Sequence, residues 1–123
     1  MDHTSSSTLS AASKKMLRAT LVEQRRQADE QIAALTDSFN SIVETVELVG
    51  NDDEHDPEGT TIAFERAQVI ALLNQAEADR DAIDMAMTKL DNGLYGTCDV
   101  CGGAIGIERL TAIPSASRCI MCA

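Results

Sequence analysis

The sequence predicts a mainly α-helical protein, in which an antiparallel two-helix coiled-coil hairpin precedes a small module that holds all four cysteines. Three observations predict this fold. Only three of the 123 residues are aromatic, and the 44% hydrophobic content is mostly Ala, Leu, Ile, Val and Met, which suit helices better than a sheet sandwich. Two long stretches without Gly or Pro carry heptad repeats. The cysteines form two C-x2-C pairs near the end.

The charge balance is acidic, with 20 Asp and Glu against 10 Lys and Arg and a formal net charge of −10. Neutralising nucleic-acid phosphates requires clustered basic residues, so this balance argues against direct DNA binding. No run of about 18 apolar residues is present to span a membrane. The first residues also lack the apolar stretch of a signal peptide. We therefore expect a cytoplasmic protein.

Gly and Pro divide the chain into segments. Neither occurs in residues 1–49 or 60–92, whereas Gly50, Pro57 and Gly59 interrupt the middle of the chain. Gly93 and Gly96 precede the first cysteine. These breaks predict a hairpin over 14–93 with an acidic tip at 50–60, and a cysteine module over 94–123. The polar composition of the first residues predicts a disordered leader over residues 1–13.

Both uninterrupted stretches carry two rows of residues at heptad spacing, and 16 of these 20 positions are apolar. Such rows predict a coiled-coil seam. In the first stretch the rows are Leu21, Ala28, Leu35, Ile42 and Val49, and Arg18, Arg25, Ile32, Phe39 and Val46. In the second they are Ile62, Val69, Ala76, Ile83 and Leu90, and Arg66, Leu73, Arg80, Met87 and Leu94.

The roughly ten-residue break between the stretches favours pairing within one chain, so we expect a monomer; a helical dimer is the alternative. Folding at the break places Ile42 opposite Val69. Residues one heptad further from the break on each helix face each other in the same way. No seam arginine then meets another arginine. Arg18 would face Leu94 and Arg25 would face Met87, each covering its apolar partner with the aliphatic part of its side chain.

The cysteine spacing, C-x2-C-x17-C-x2-C, is typical of a four-thiolate zinc site with the ligands Cys98, Cys101, Cys119 and Cys122. Iron is the alternative metal, and two disulfides are the alternative to a metal site. A cytosolic chain keeps its thiols reduced, which favours the metal. We expect one ion, and about 30 residues cannot bury a sufficient core without it.

This site is predicted to be structural. A catalytic zinc keeps one coordination position open, whereas four thiolates fill a tetrahedral sphere. The only histidines, His3 and His55, lie far from the cysteines in sequence. No nucleophile–base pair remains, so we do not expect an enzyme.

Acidic residues are concentrated around the predicted turn. From Arg26 to Arg66 no basic residue intervenes, while 11 residues are acidic, and five of these lie in the segment NDDEHDPEGT. Asp56 and Glu58 flank Pro57 and suit the start of a helix through its dipole. This does not account for Asp52, Asp53 and Glu54. Five carboxylates at one end of a rod repel one another, so we expect the tip to contact something cationic, either a metal or a basic channel.

The segment YGTCDVCGGAIGIERLTAIPSASRCIMC, Tyr95 to Cys122, resembles the zinc finger of the DksA/TraR family of bacterial regulators that bind RNA polymerase. The matching residues between the cysteine pairs are Gly106, Arg109, Leu110, Ala112 and Pro114. The acidic turn with Asp56-Pro57 and the helix that leads into Leu94-Tyr95-Gly96 also fit the family.

The resemblance implies a transcription regulator that inserts its coiled-coil hairpin into the secondary channel of RNA polymerase and modulates initiation without binding DNA. The zinc module would stay outside the channel. The resemblance assigns polymerase contacts at the tip to seven residues: Asp52, Asp53, Glu54, Asp56, Glu58, Thr60 and Thr61.

The tip departs from the family's Asp-x-Ala element, because Glu58-Gly59-Thr60-Thr61 follows Pro57. Either Asp56 or Glu58 could be the critical acid, and the count back from Cys98 favours Glu58. Family members that respond to ppGpp carry basic residues where Ala82 and Ile113 stand, which argues against a ppGpp response. The alternative function is a zinc-capped coiled-coil adaptor or scaffold without effect on polymerase chemistry.

Overall fold

The computed structural model describes residues 9–49 and 57–123, and within 45–49 and 57–59 it describes the helical backbone alone. These residues form helix α1 (Ala11–Val49), helix α2 (Pro57–Asn92) and the short helix α3 (Ile107–Ala112). The described ranges contain no β-strand, only an isolated antiparallel bridge between Thr97 and Ala104. The mainly α-helical class and the two long packed helices are confirmed.

Two helix boundaries differ from the predicted ones. Helix α1 begins at Ala11, inside the expected leader, because the Ser10 hydroxyl accepts a hydrogen bond from the Ser13 amide at 3.0 Å and caps the first turn. Helix α2 begins at Pro57, inside the expected tip. Proline suits this position because its fixed φ is helical and its missing N–H has no partner in a first turn. Residues 1–8 and 50–56 lie outside the described residues.

The chain forms two compact units. The first unit contains α1 up to Gln27, α2 from Arg80 and the rest of the chain to Ala123. Its core contains Leu17, Leu21, Ile83, Ala86, Tyr95 and Leu110, of which Leu21 and Leu110 have no exposed surface. The heptad rows predicted Leu21 and Ile83 but missed Leu17 and Ala86. Ala86 also faces the cysteine module, since it lines a small cavity with Ser115 and Ser117.

Two interhelical ion pairs show that the helices of the first unit are antiparallel. Arg18 Nη2 lies 2.9 Å from Asp91 Oδ1, and Arg25 Nε lies 2.6 Å from Asp84 Oδ1. One heptad separates the arginines on α1, and one heptad separates the aspartates on α2 in the opposite direction. The predicted facing residue Leu94 is instead 53% exposed, because α2 ends at Asn92 and the chain turns at Gly93 with φ +82°.

The second unit consists of Ala28–Asp79. Its described seam residues behave as the heptads predict, because Leu35, Ile62, Val69 and Leu73 are half-buried and Ala76 is buried. Ile42 and Val69, which are predicted to face each other, line one groove between α1 and α2. Arg66 is exposed rather than packed on the seam.

None of the described helices combines the length and the hydropathy that crossing a bilayer requires.

Candidate metal centre

The structure brings the four predicted ligands together. The Sγ atoms of Cys98, Cys101, Cys119 and Cys122 all lie within 4.8 Å of one another. Cys101 Sγ and Cys119 Sγ are 3.7 Å apart. A tetrahedral zinc with bonds of about 2.3 Å requires sulfur–sulfur distances of about 3.8 Å. All four cysteines are free rather than disulfide-bonded. This geometry fits one zinc ion.

Backbone amides shape the first C-x2-C turn around its sulfurs. The amides of Val100 and Cys101 point at Cys98 Sγ, at 3.4 and 3.5 Å, and the Gly103 amide points at Cys101 Sγ at 3.4 Å. Gly102 has a φ of +75°, a backbone conformation that side chains rarely adopt. The turn is closed by the Cys98 amide, which donates to the Gly103 carbonyl at 2.8 Å.

The environment of the cluster shifts the pKa values of Cys98 and Cys122 in opposite directions. The amide of Cys101, helped by neighbouring amides, lowers the pKa of Cys98 to about 6. Hydrogen bonding to the Cys119 sulfur and burial raise the pKa of Cys122 to about 12. At neutral pH the polypeptide alone therefore favours a mixture of thiolate and thiol. A divalent cation stabilises all four thiolates together, and its binding releases protons.

The segment between the cysteine pairs forms a supporting frame. Ile105 and Leu110 are buried, and Gly106 precedes α3 with a φ of +99°. Arg109 Nε donates to the Arg118 carbonyl at 2.8 Å, and so links α3 to the residue just before Cys119. Three of the residues that carry the family resemblance, Gly106, Arg109 and Leu110, thus have structural roles in this frame.

Tyr95 is a supporting residue whose role the cysteine spacing does not reveal. Its side chain is buried, and its hydroxyl donates to the Pro114 carbonyl at 2.9 Å. Burial raises the pKa of Tyr95 to about 12. Because Pro114 lies between α3 and the second cysteine pair, this bond fixes that loop on the segment that follows α2.

Lys89 joins α2 to the first cysteine turn. Its Nζ lies 2.5 Å from Asp99 Oδ1, and its carbonyl accepts the amides of Leu94 and Tyr95. The Asp99 amide in turn donates to the Ser117 carbonyl at 2.8 Å. Both cysteine pairs are therefore tied to the end of α2. In the sequence, this link is indicated by a lysine in the last turn of α2, where its positive charge also interacts favourably with the helix dipole.

The arrangement supports a structural metal. The four sulfurs complete a tetrahedral sphere, and neither histidine lies in the described residues, so the described part of the chain offers no imidazole to act as a base.

Most of the predicted tip cannot be placed. Asp52, Asp53, Glu54 and Asp56 lie outside the described residues. Glu58 belongs to the first turn of α2, where only the backbone is described. Thr60 and Thr61 follow on the same helix and are exposed. The critical tip acid stays a prediction.

Comparison with known proteins supports the reading of the module. Residues 93–123 match the prokaryotic DksA/TraR C4-type zinc finger. The uncharacterized protein YteA of Bacillus subtilis is 41% identical over 66 residues, which cover 53% of this chain and 27% of that protein. The RNA polymerase-binding transcription factor DksA of Haemophilus influenzae is 50% identical over 40 residues, which cover 32% of this chain and 28% of that protein. The match thus spans under a third of each curated relative.

The fold also has a solved counterpart. The structure of transcription factor DksA2 from Pseudomonas aeruginosa matches with a TM-score of 0.74 at 24% identity, covering 91% of this chain and 81% of that chain. At this identity the match shows the fold. Residues 93–123 are thus similar to the DksA/TraR C4-type zinc finger, and the chain shares the fold of DksA2.

Proposed function

We propose that this protein is a cytoplasmic bacterial transcription regulator that binds RNA polymerase directly as a monomer. It inserts the acidic tip of its coiled coil into the secondary channel and modulates initiation without binding DNA, and we do not expect it to respond to ppGpp. The observation that carries the proposal is the combination of a DksA/TraR zinc finger with a two-helix fold like that of DksA2.

The distribution of charge supports insertion of the second unit. Residues 28–79 contain 13 acidic residues and a single basic one, Arg66, a formal charge of −12. An anionic unit is suited to a channel that presents cations, whether basic side chains or Mg²⁺. In the proposed mechanism the tip carboxylates approach the catalytic Mg²⁺ of the polymerase and change the stability of promoter complexes.

The zinc finger supports a partner other than DNA. Between residues 95 and 123 the basic residues are Arg109 and Arg118, and they are balanced by Asp99 and Glu108. Four thiolates with one Zn²⁺ add a further charge of −2. Such a surface lacks the basic character that phosphate contacts require.

The test separates binding from effect. Asp56→Asn with Glu58→Gln removes two tip charges, while Asp37→Asn with Glu44→Gln removes the same two charges from exposed positions of α1. Purified bacterial RNA polymerase is titrated with each variant at one salt concentration, and promoter-specific transcription is measured beside it.

We expect the tip variant to bind polymerase but to lose its effect on initiation, while the α1 variant keeps both. A scaffold protein would show no such separation. Full activity in the tip variant would contradict the tip mechanism, and absence of polymerase binding by the unmodified protein would contradict the proposed function as a whole.

A further inference from the structure

The chain just before α1 lies against the cysteine module. Leu9 is half-buried and immediately precedes Ser10, whose hydroxyl caps the first turn of α1. A methyl group placed on Gly96 would lie 3.4 Å from Leu9 Cδ1 and 3.7 Å from Leu110 Cδ1. The two leucine side chains therefore cover the same side of Gly96. Both ends of this contact belong to the first compact unit.

Leu9 shares its apolar surroundings with the core of the module. The residue before a helix cap often packs against the fourth residue of its own helix, which here is the charged residue Lys14. Leu110, in contrast, is a core residue of α3 with no exposed surface. Leu9 thus adds one side chain to the core of the module from a position far away in sequence.

The segment beneath Leu9 belongs to the loop that carries the first C-x2-C pair. The Gly96 carbonyl accepts the Ile105 amide at 2.8 Å, and the bridge between Thr97 and Ala104 lies next to it. These pairings close the loop around the two cysteines. A module of about 30 residues depends on its metal for folding. The surface that Leu9 covers is therefore complete only when the metal is bound.

We propose that Leu9 is a metal-dependent clasp. With zinc bound, its side chain docks on the cysteine module and holds the N-terminal end of α1, residues 11–18, whereas loss of zinc releases that end. The release stops before Leu21, which lies in the helix seam and has no exposed surface. The clasp goes beyond the proposed function, because it requires no polymerase. In a cell, the released end would offer proteases an unfolded segment in the metal-free protein.

The coupling between Leu9 and the metal is reciprocal. If zinc stabilises the docked Leu9, then the docked Leu9 must raise the affinity for zinc by the same factor. Because the side chain is half-buried, it supplies only part of the stabilisation that a fully buried leucine gives. We therefore expect a factor of about five, at the lower end of the usual coupling between two sites. This factor can be measured from either side.

Trypsin is the probe, because Lys14 and Lys15 lie near the start of α1. Mass spectrometry follows cleavage after these lysines in the full-length unmodified protein, Leu9→Ala and Met16→Ala, each with zinc bound and after chelation. Met16→Ala is the matched control, since Met16 is an apolar residue at the same end of α1 but is 53% exposed. Cleavage after Arg66, in the second unit, reports opening of the hairpin. Zinc analysis and circular dichroism verify loading and folding.

Chelation should speed cleavage after the two lysines at least about tenfold in the unmodified protein, with little change at Arg66. With zinc bound, Leu9→Ala should be cleaved there about fivefold faster than the unmodified protein. In competition with a chelator of known affinity, it should also bind zinc about fivefold more weakly. Met16→Ala should match the unmodified protein in both measurements.

Two results would overturn the clasp. One is a zinc-loaded Leu9→Ala protein that resists trypsin and binds zinc as the unmodified protein does. The other is cleavage after Lys14 and Lys15 that does not respond to chelation. Equal acceleration at Arg66 would show that the whole hairpin opens, and would overturn a release confined to the end of α1.

Discussion

At the residue scale, Tyr95 links the chemistry of one side chain to the folding of the zinc finger. The hydroxyl donates to the Pro114 carbonyl at 2.9 Å, and only the neutral phenol can donate this bond. Burial disfavours the phenolate and raises the pKa of Tyr95 from 10.0 to about 12. The contribution of this side chain to stability is therefore tied to pH.

Tyr95→Phe should cost about 1 kcal/mol at pH 8, because it removes one buried hydrogen bond. The folded-state pKa is raised, so the stabilisation is fully present below pH 10 and is lost as the pH rises through about 12. Urea unfolding of the zinc-loaded protein at pH 8 and pH 11 checks this. The stability difference between the two proteins should shrink at pH 11; a constant difference would contradict the assignment.

The zinc ligands can be tested against a neighbour that does not bind metal. Cys119→Ser should release the ion, because three thiolates and a hydroxyl hold zinc poorly and the finger depends on the metal for its folding. Met121→Ser is the control, since Met121 lies between Cys119 and Cys122 but is 88% exposed. Zinc per chain should fall toward zero in the first variant and stay near one in the second.

At the scale of elements, the helix seam combines fully buried side chains with ion pairs at its edge. Leu21 has no exposed surface, whereas Leu72 on α2 is 47% exposed. Arg25 and Asp84 remain 33% and 46% exposed at their side chains, so solvent screens their attraction. The buried leucine therefore dominates the energetics, while the ion pairs help to define the register.

Leu21→Ala should lower the free energy of unfolding by about 2–5 kcal/mol, because it leaves a cavity in a packed core. Leu72→Ala removes the same atoms from an exposed position and should cost less than about 1 kcal/mol. Thermal or urea unfolding followed by circular dichroism measures both. Similar losses in the two variants would mean that the seam is not packed around Leu21 as the structure shows.

The interhelical register can be tested by exchanging the two charges of an ion pair. Arg25→Asp places two aspartates together and should destabilise the first unit, and adding Asp84→Arg should restore part of the loss. Because each single variant creates a like-charge pair and the double variant forms a new ion pair, the coupling energy should exceed the roughly 0.2–1 kcal/mol that is usual for one partly exposed pair. A coupling of zero would contradict the contact between Arg25 and Asp84.

At the scale of the whole molecule, the sequence predicts the features that follow from regular residue spacing. Four cysteines in two C-x2-C pairs predicted the sulfur cluster, and heptads predicted that Ile42 and Val69 share one groove. It did not predict that Arg18 and Arg25 reach Asp91 and Asp84, because a long side chain can choose among several partners at one seam position. The burial of Leu17 and Ala86 was also missed, because neither residue lies in a heptad row.

The division of the chain into a metal-dependent finger and a metal-independent hairpin leads to the last prediction. The chain has no tryptophan and one tyrosine, so Tyr95 emission reports on the finger alone. Circular dichroism at 222 nm reports mainly on α1 and α2, which contain 39 and 36 residues against six in α3. Removal of zinc by a chelator should expose Tyr95 and change its emission, while most of the helical signal remains because Leu35 and Val69 of the second unit pack without the metal. Restoring zinc should reverse the change. Loss of both signals together would show that the hairpin also depends on the metal, and would contradict the independent seam.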